Sequence, residues 1–287
     1  KDADNNYQAT RSRHKWNHEP FDFSSKFGWD NFYKKGMEQT EIDSENRDDG
    51  QNNDVSMESL EFEWHAHIPH SVIVDAIKPT ISSASQYYSQ KQSTSSSSSS
   101  ITLPSILLVG CGNSALPRIL HDAFDTPVQI TCLDYSPVCI EMIKSMYEAS
   151  CPNMDFVVGD ATNLQQVKWW DDNKTMEQSA VGTKKHFDVI VDKGLLDALM
   201  CGEGFDLETL MKSTNDVLTP HEWGMHVLIC FELSKASKEN LVELGENVGN
   251  GNGSGGLVWD FNIPVEGSEN GRACFNLAWR SRSKKDA

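Results

Sequence analysis

Four short runs set chemistry-bearing residues just past apolar stretches. Ile106-Leu-Leu-Val109 is followed by Gly110-Cys-Gly112-Asn-Ser-Ala115, a GxGxxA spacing. Glycines let the backbone turn tightly and approach a ligand, and the start of the next helix favours negative charge. Alone, this pattern equally describes a packing turn. The second run, 128–133, ends at Asp134, 24 residues after Gly110. A carboxylate at that distance can accept hydrogen bonds from both hydroxyls of a ribose. Phe156-Val-Val158 ends at Gly159-Asp160-Ala161, a second acid positioned for an adenine amino group, and the run 187–191 ends at Asp192-Lys193-Gly194. Any one of these is an ordinary strand-end residue. Four in succession point to an adenosine-containing ligand.

Those ends share one crevice only if the runs are parallel strands. Between them lie helix signals: Asn113 or Ser114 as N-cap with Pro117 in the first turn, for a helix through about His121. Ser136-Pro137 opens a second helix with Ile140, Ile143, Met146 and Tyr147 on one face, and helical runs follow at 195–200 and around 207–218. A fifth strand is expected at 226–231. Strands alternating with helices imply right-handed βαβ units and a parallel sheet covered on both faces. The segments 257–263 and 274–279 read as an antiparallel hairpin on the sheet edge. The fold expected is therefore α/β and doubly wound, with seven strands, mostly parallel, and an antiparallel C-terminal hairpin.

Between these segments lies sequence too polar to offset its ordering entropy. The organisation expected is a disordered segment at 1–20 and one domain over 21–280, with flexible insertions at 38–58, 82–100, 171–185 and 246–256, then a tail at 281–287. The chain of 287 residues carries 25 Lys+Arg against 42 Asp+Glu, a net charge of −17. That balance opposes capture by nucleic acid or anionic lipid, whose phosphates need cationic partners, so neither is expected as a partner. No stretch approaches the roughly 20 apolar residues of a spanning helix. The seven cysteines are scattered without CxxC pairs, which fits a reducing compartment and no structural metal. The sequence opens at Lys1 rather than Met. A cytoplasmic location is expected, with a mitochondrial one left open by a targeting segment that could precede Lys1.

The runs LLVGCGNSAL (107–116), LDYSP (133–137), FVVGDATNL (156–164) and FDVIVDKGLLDAL (187–199) together resemble the class I S-adenosylmethionine-dependent methyltransferases. More narrowly, GCGNS, DYS and DKGLLDAL resemble the branch that methylates lysines of translation elongation factor 1-alpha and, in a mitochondrial relative, of citrate synthase. That branch carries an upstream WDxFY element and an FEW-type element. Trp29-Asp30-Asn31-Phe32-Tyr33 and Phe62-Glu63-Trp64 match them. The resemblance covers roughly 29–199 with the insertions removed, and more loosely the fifth strand. It implies a Rossmann-like sheet, S-adenosyl-L-methionine as cofactor and a protein substrate such as elongation factor 1-alpha. It also implies roles by position. Gly110 and Gly112 line the cofactor, Asp134 holds the ribose with Tyr135 beside the adenine, and Asp160 with Ala161 brackets the adenine edge. Trp29, Tyr33 and Phe62 close over the methionine end, and Lys193 sits near the cofactor.

Methyl transfer from a sulfonium is an in-line displacement, so positioning and desolvation can supply most of the acceleration. A lysine acceptor must arrive as the neutral amine, which an apolar aromatic channel favours. Asp192 is the candidate catalytic residue, orienting or deprotonating that amine; a strand-end cap is its other reading. His65, His67 and His70 have no carboxylate or thiolate at ligand spacing, so no metal is assigned. Cys111 lacks an activating base and reads as a packed thiol, and Trp169-Trp170 as a core or edge contact. Three other functions remain. A small-molecule methyltransferase would share every cofactor motif. A catalytically silent binding module need not keep the glycines and acids. A nicotinamide dehydrogenase has no place for Asp160 or Asp192-Lys193-Gly194.

Overall fold

A computed structural model of the chain describes residues 22–45, 61–94, 102–169, 185–203, 205, 207–252, 256–265 and 273–281. Among them run the helices α1 (Lys26–Glu45) and α2 (His70–Thr94), then β1 (Ser105–Val109), α3 (Leu116–Asp122), β2 (Gln129–Asp134), α4 (Pro137–Tyr147) and β3 (Met154–Val158). β4 (Val189–Lys193), α5 (Leu195–Met200), α6 (Leu207–Val217), β5 (Met225–Phe231), α7 (Lys235–Asn252), β6 (Leu257–Ile263) and β7 (Ala273–Arg280) follow. A short 3-10 turn, Ala161–Gln166, leads out of β3.

The strands form one sheet in the order β3-β2-β1-β4-β5-β7-β6. β1 to β5 are parallel, and β7 runs antiparallel to both β5 and β6. This is the doubly wound, seven-stranded sheet with an antiparallel C-terminal pair that the alternating pattern predicts. Strand side chains alternate between faces, and both faces are covered, so the central strands are mostly apolar. Ile106 and Leu108 of β1 join Ile73, Ile77 and Ile81 of α2 and Ile140 and Ile143 of α4 in one core. Leu107 and Val109 turn the other way, to Leu210 and Met211 of α6 and Leu241 and Leu244 of α7. The chain leaves β1 for β2 and β3 on one side and returns to β4 on the other. The strand order therefore reverses at β1, and ligands of open α/β sheets bind past the carboxyl ends at such a point.

Three expected flexible stretches are partly regular. Residues 38–45 continue α1, and 246–252 belong to α7. Of 82–100, residues 82–94 continue α2. Serine-rich composition concealed this helix because its anchors are tertiary. Ala84 is fully buried, the Tyr88 hydroxyl donates to Asp188 at 3.0 Å, and Tyr87 packs against His221 and Trp223. Asp188 also accepts from the Trp223 indole at 2.8 Å and the Ser105 backbone at 2.9 Å, so one buried carboxylate joins α2, β1 and the approach to β5. Lys185, placed in an insertion, pairs with Asp155 at 3.3 Å. The remaining expected flexible or terminal segments, at 1–20, 46–58, 95–100, 171–184, 253–255 and 282–287, lie outside the described residues. Trp170 does too, while Trp169 packs edge-on against Phe187. No helix among the described residues is long and apolar enough to cross a membrane.

Tyr88→Phe should lower unfolding stability by about 1 to 2 kcal/mol, because it leaves buried Asp188 short of one donor. Urea unfolding monitored by circular dichroism measures this. An unchanged midpoint would mean that the helix end is not anchored there.

Candidate functional site

A cavity opens at the carboxyl ends of β1, β2 and β4. Its wall includes Trp29, Tyr33, Phe62, Gly110, Gly112, Asp134, Tyr135, Asp160, Ala161 and Lys193, the ten residues the sequence nominates for cofactor contact. Asp192 is not in that wall.

The floor is built by β1, β2 and the turns after them. Gly110 and Gly112 adopt φ of 58° and 56°, in the left-handed region that side chains disfavour. A Cβ on Gly110 would lie 2.9 Å from the Leu195 side chain, so the turn is also a close approach to α5. The Asp134 carboxylate, at the end of β2, is buried and oriented by two backbone donors, Gly112 N–H at 3.1 Å and Ser136 N–H at 3.0 Å. Burial raises its pKa to about 6, against the lowering effect of those bonds. Ser136 caps α4 as expected, accepting from Cys139 N–H at 3.2 Å. Asp160 is exposed and caps the following turn through Thr162 N–H at 2.8 Å. The sulfurs of Cys111 and Cys139 and the Asp134 carboxylate lie within 4.8 Å of one another. Burial pushes both thiols well up, which keeps them protonated.

The roof comes from the two N-terminal elements, joined by residues the sequence did not single out, Phe23 and Ser24. Trp29 stacks on Tyr33 with ring centroids 5.9 Å apart and donates its indole N–H to the Phe23 carbonyl at 2.7 Å. Phe23, Phe62 and Trp64 continue the aromatic surface at centroid separations of 5.5 and 6.1 Å. Residues 61–65 alternate. Phe62 and Trp64 line the cavity. Glu61 accepts from the Tyr147 hydroxyl at 3.0 Å, Glu63 pairs with Lys193 at 2.6 Å, and His65 pairs with Asp197 at 2.6 Å. The alternation is visible in the sequence and could have nominated Trp64 beside Phe62.

Glu63 gathers several elements on one carboxylate. It accepts from the Ser114 hydroxyl and Ala115 N–H, both at 2.8 Å, and pairs with His70 at 3.1 Å at the start of α2. The α3 N-cap is Ala115 rather than the expected Asn113 or Ser114, and the first N–H groups are served from outside the cap position: Ser114 Oγ accepts from Leu116 N–H at 3.1 Å, and Glu63 from Ala115 N–H. Burial raises the Glu63 pKa, but the His70 hydrogen bond and Lys193 outweigh it and hold the carboxyl at about 2. Lys193 also donates to the Trp64 carbonyl.

Asp192 is fully buried and turns into the protein. Its Oδ1 accepts from Leu195 N–H at 2.9 Å and Leu196 N–H at 3.3 Å, which caps α5, and Oδ2 has no partner. The geometry replaces the expected orienting acid with the capping role. Burial raises its pKa to about 8. A folded pKa above the unfolded value near 4 means that the folded state holds a proton the unfolded chain releases. Stability on this account is complete below pH 4 and falls as pH rises to 8. Asp192→Asn should keep the cap and flatten that decline, as urea unfolding at pH 5.5 and 8.5 would show. An equally steep decline would mean that Asp192 is already ionised in the folded protein.

Residues 106–221 match the family described as Methyltransferase domain. The chain is 33% identical over 103 residues to the EEF1A lysine methyltransferase 4 of Bos taurus, covering 35% of this chain and 32% of that protein. It is 30% identical over 108 residues to the mitochondrial citrate synthase-lysine N-methyltransferase of Homo sapiens, covering 34% and 39%. The matched stretch thus spans about a third of the length of these relatives. Among solved structures, magnesium protoporphyrin IX methyltransferase from Synechocystis aligns with 92% of this chain and 100% of its own at 12% identity, with a TM-score of 0.44. From the family match on this sheet, and the two lysine methyltransferases beside it, residues 106–221 are a class I methyltransferase domain related to that branch.

Proposed function

We propose that the protein transfers methyl groups from S-adenosylmethionine to a lysine side chain of a protein, with elongation factor 1-alpha as the first candidate. The observation that supports this most is the cavity itself, whose wall combines a buried, backbone-oriented carboxylate with an aromatic cluster and a lysine. Asp134 fits a ribose, with its oxygens held by backbone donors and its remaining lone pairs free to accept hydroxyls. Gly110 and Gly112 would line the cofactor, Tyr135, Asp160 and Ala161 would flank the adenine, and Trp29, Tyr33 and Phe62 would cover the methionine end. When bound, S-adenosylmethionine supplies a methyl group already activated on a sulfonium.

The chain then has to exclude water and align the acceptor. Phe23, Trp29, Phe62 and Trp64 supply the apolar roof, and such surroundings disfavour the ammonium over the amine. An acceptor that arrives as the neutral amine needs no general base, consistent with Asp192 being engaged in capping α5. The names of the relatives support lysine as acceptor and elongation factor 1-alpha or citrate synthase as protein classes to try. A net charge of −17 suits a basic partner. A cytoplasmic location goes with the first candidate substrate and a mitochondrial one with the second.

Incubation with labelled S-adenosylmethionine and either candidate protein should add methyl mass to one lysine, read by mass spectrometry of the digested substrate. Label entering small metabolites while every lysate protein stays unlabelled would replace this reading with a small-molecule methyltransferase.

A further inference from the structure

Lys193 places a cation in the wall of a cavity for which a cationic ligand is proposed. Its side chain is only 7% exposed, so water screens it poorly. S-adenosylmethionine carries a sulfonium that its product, S-adenosylhomocysteine, lacks. An uncompensated Lys193 would repel the first and be indifferent to the second. Glu63 supplies the compensation, with its Oε2 at 2.6 Å from Lys193 Nζ. Its carboxyl is held ionised by His70 and Lys193. The other acids of the cavity wall are engaged with backbone N–H groups, Asp134 with those of Gly112 and Ser136 and Asp160 with that of Thr162, and make no contact with Lys193 among the interactions described.

We infer that Glu63 is the specificity-determining residue for the charge of the donor: by neutralising Lys193 it lets the cavity accept the sulfonium of S-adenosylmethionine. The inference rests on the S-adenosylmethionine reading above and adds to it a role for the glutamate of the FEW run and the lysine of the DKG run as one electrostatic unit. It also explains why the pair is built so firmly. Glu63 is fixed by Ser114, Ala115 and His70, and Lys193 by the Trp64 carbonyl, so neither charge can leave the wall without breaking bonds to α2, α3 or the roof.

The test compares the affinities of S-adenosylmethionine and S-adenosylhomocysteine by calorimetry. Glu63→Gln removes the negative charge and keeps the shape. It should weaken S-adenosylmethionine about tenfold more than S-adenosylhomocysteine, the effect of one unpaired charge several ångströms away at intermediate dielectric. Lys193→Met removes the positive charge and should shift the ratio of affinities the other way, toward S-adenosylmethionine. The double variant should return the ratio to within about twofold of the original. A strap that only held the roof in place would, when cut, weaken both ligands alike, and equal losses in Glu63→Gln and Lys193→Met overturn the inference. If Glu63→Gln does not fold, the direction of the Lys193→Met shift decides. An unaltered protein that binds neither ligand overturns the cofactor reading, and this inference with it; binding of both with an unresponsive ratio overturns this inference alone.

Discussion

Asp134→Ala is expected to weaken S-adenosylmethionine binding by about 2 to 4 kcal/mol, because two charge-assisted hydrogen bonds to the ribose are lost together. In affinity this is roughly 30- to 1,000-fold. The Gly112 and Ser136 N–H groups also lose their acceptor, so the variant should unfold more easily; Asp134→Asn separates the effects, since it keeps one acceptor and the shape. The pH dependence has a definite sign. Burial raises the folded pKa to about 6 from near 4, so between those values the folded protein holds a proton that the unfolded chain has released, and stability falls as pH rises through 6. Ribose hydroxyls donate to the ionised form, so binding releases that proton and affinity should rise from pH 5 to 7, then level off. Isothermal titration across this range would show it. A flat profile with unchanged affinity in Asp134→Asn would remove Asp134 from the ribose.

Gly194→Ala should cost about 2 to 6 kcal/mol of stability. Gly194 caps α5 at φ of 90°, where a side chain strains the backbone by about 1 to 3 kcal/mol. Its Cβ would lie 2.1 Å from Trp64 Cδ1, so the indole must also move, adding an overpacking cost of about 1 to 3 kcal/mol. The displaced indole belongs to the cavity roof, and ligand affinity should fall with stability. Trp64→Ala made in the same chain removes the clash and leaves the strain, so the two substitutions should be strongly non-additive in urea unfolding. Additive losses would show that the indole does not rest on this turn.

The parts of this protein legible in its sequence are those whose cause is local. An apolar run ended by Gly110 or Asp134 announces both a strand and what stands at its tip, and all ten nominated wall residues meet around one cavity. What composition hid depends on distant partners. The serine-rich end of α2 is helical because Ala84 and Tyr88 find a sheet to pack on, and α7 runs through Gly and Asn with Leu241 and Leu244 packed beneath it. Asp192 is the opposite case, since the sequence left it two readings, an orienting acid or a strand-end cap. A carboxylate at a strand end looks reactive until its bonds to Leu195 and Leu196 are seen. Glu63 was visible only as one letter of a motif, since its partners Ser114, Ala115 and Lys193 lie 51 to 130 residues ahead in the chain.

The position of β7 between β5 and β6 bears on how the chain matures during synthesis. β5 and β6 are both made before the strand that joins them, and neither pairs with the other. Until the stretch from Ala273 to Arg280 has emerged, the ribosome-bound chain exposes the edge of β5, a template for pairing with other chains. A chain stopped short of Ala273 would keep that edge permanently. Such nascent or shortened chains should therefore be the species that depend on chaperones, although the cavity end of the sheet, built from β1, β2 and β4, is complete well before them.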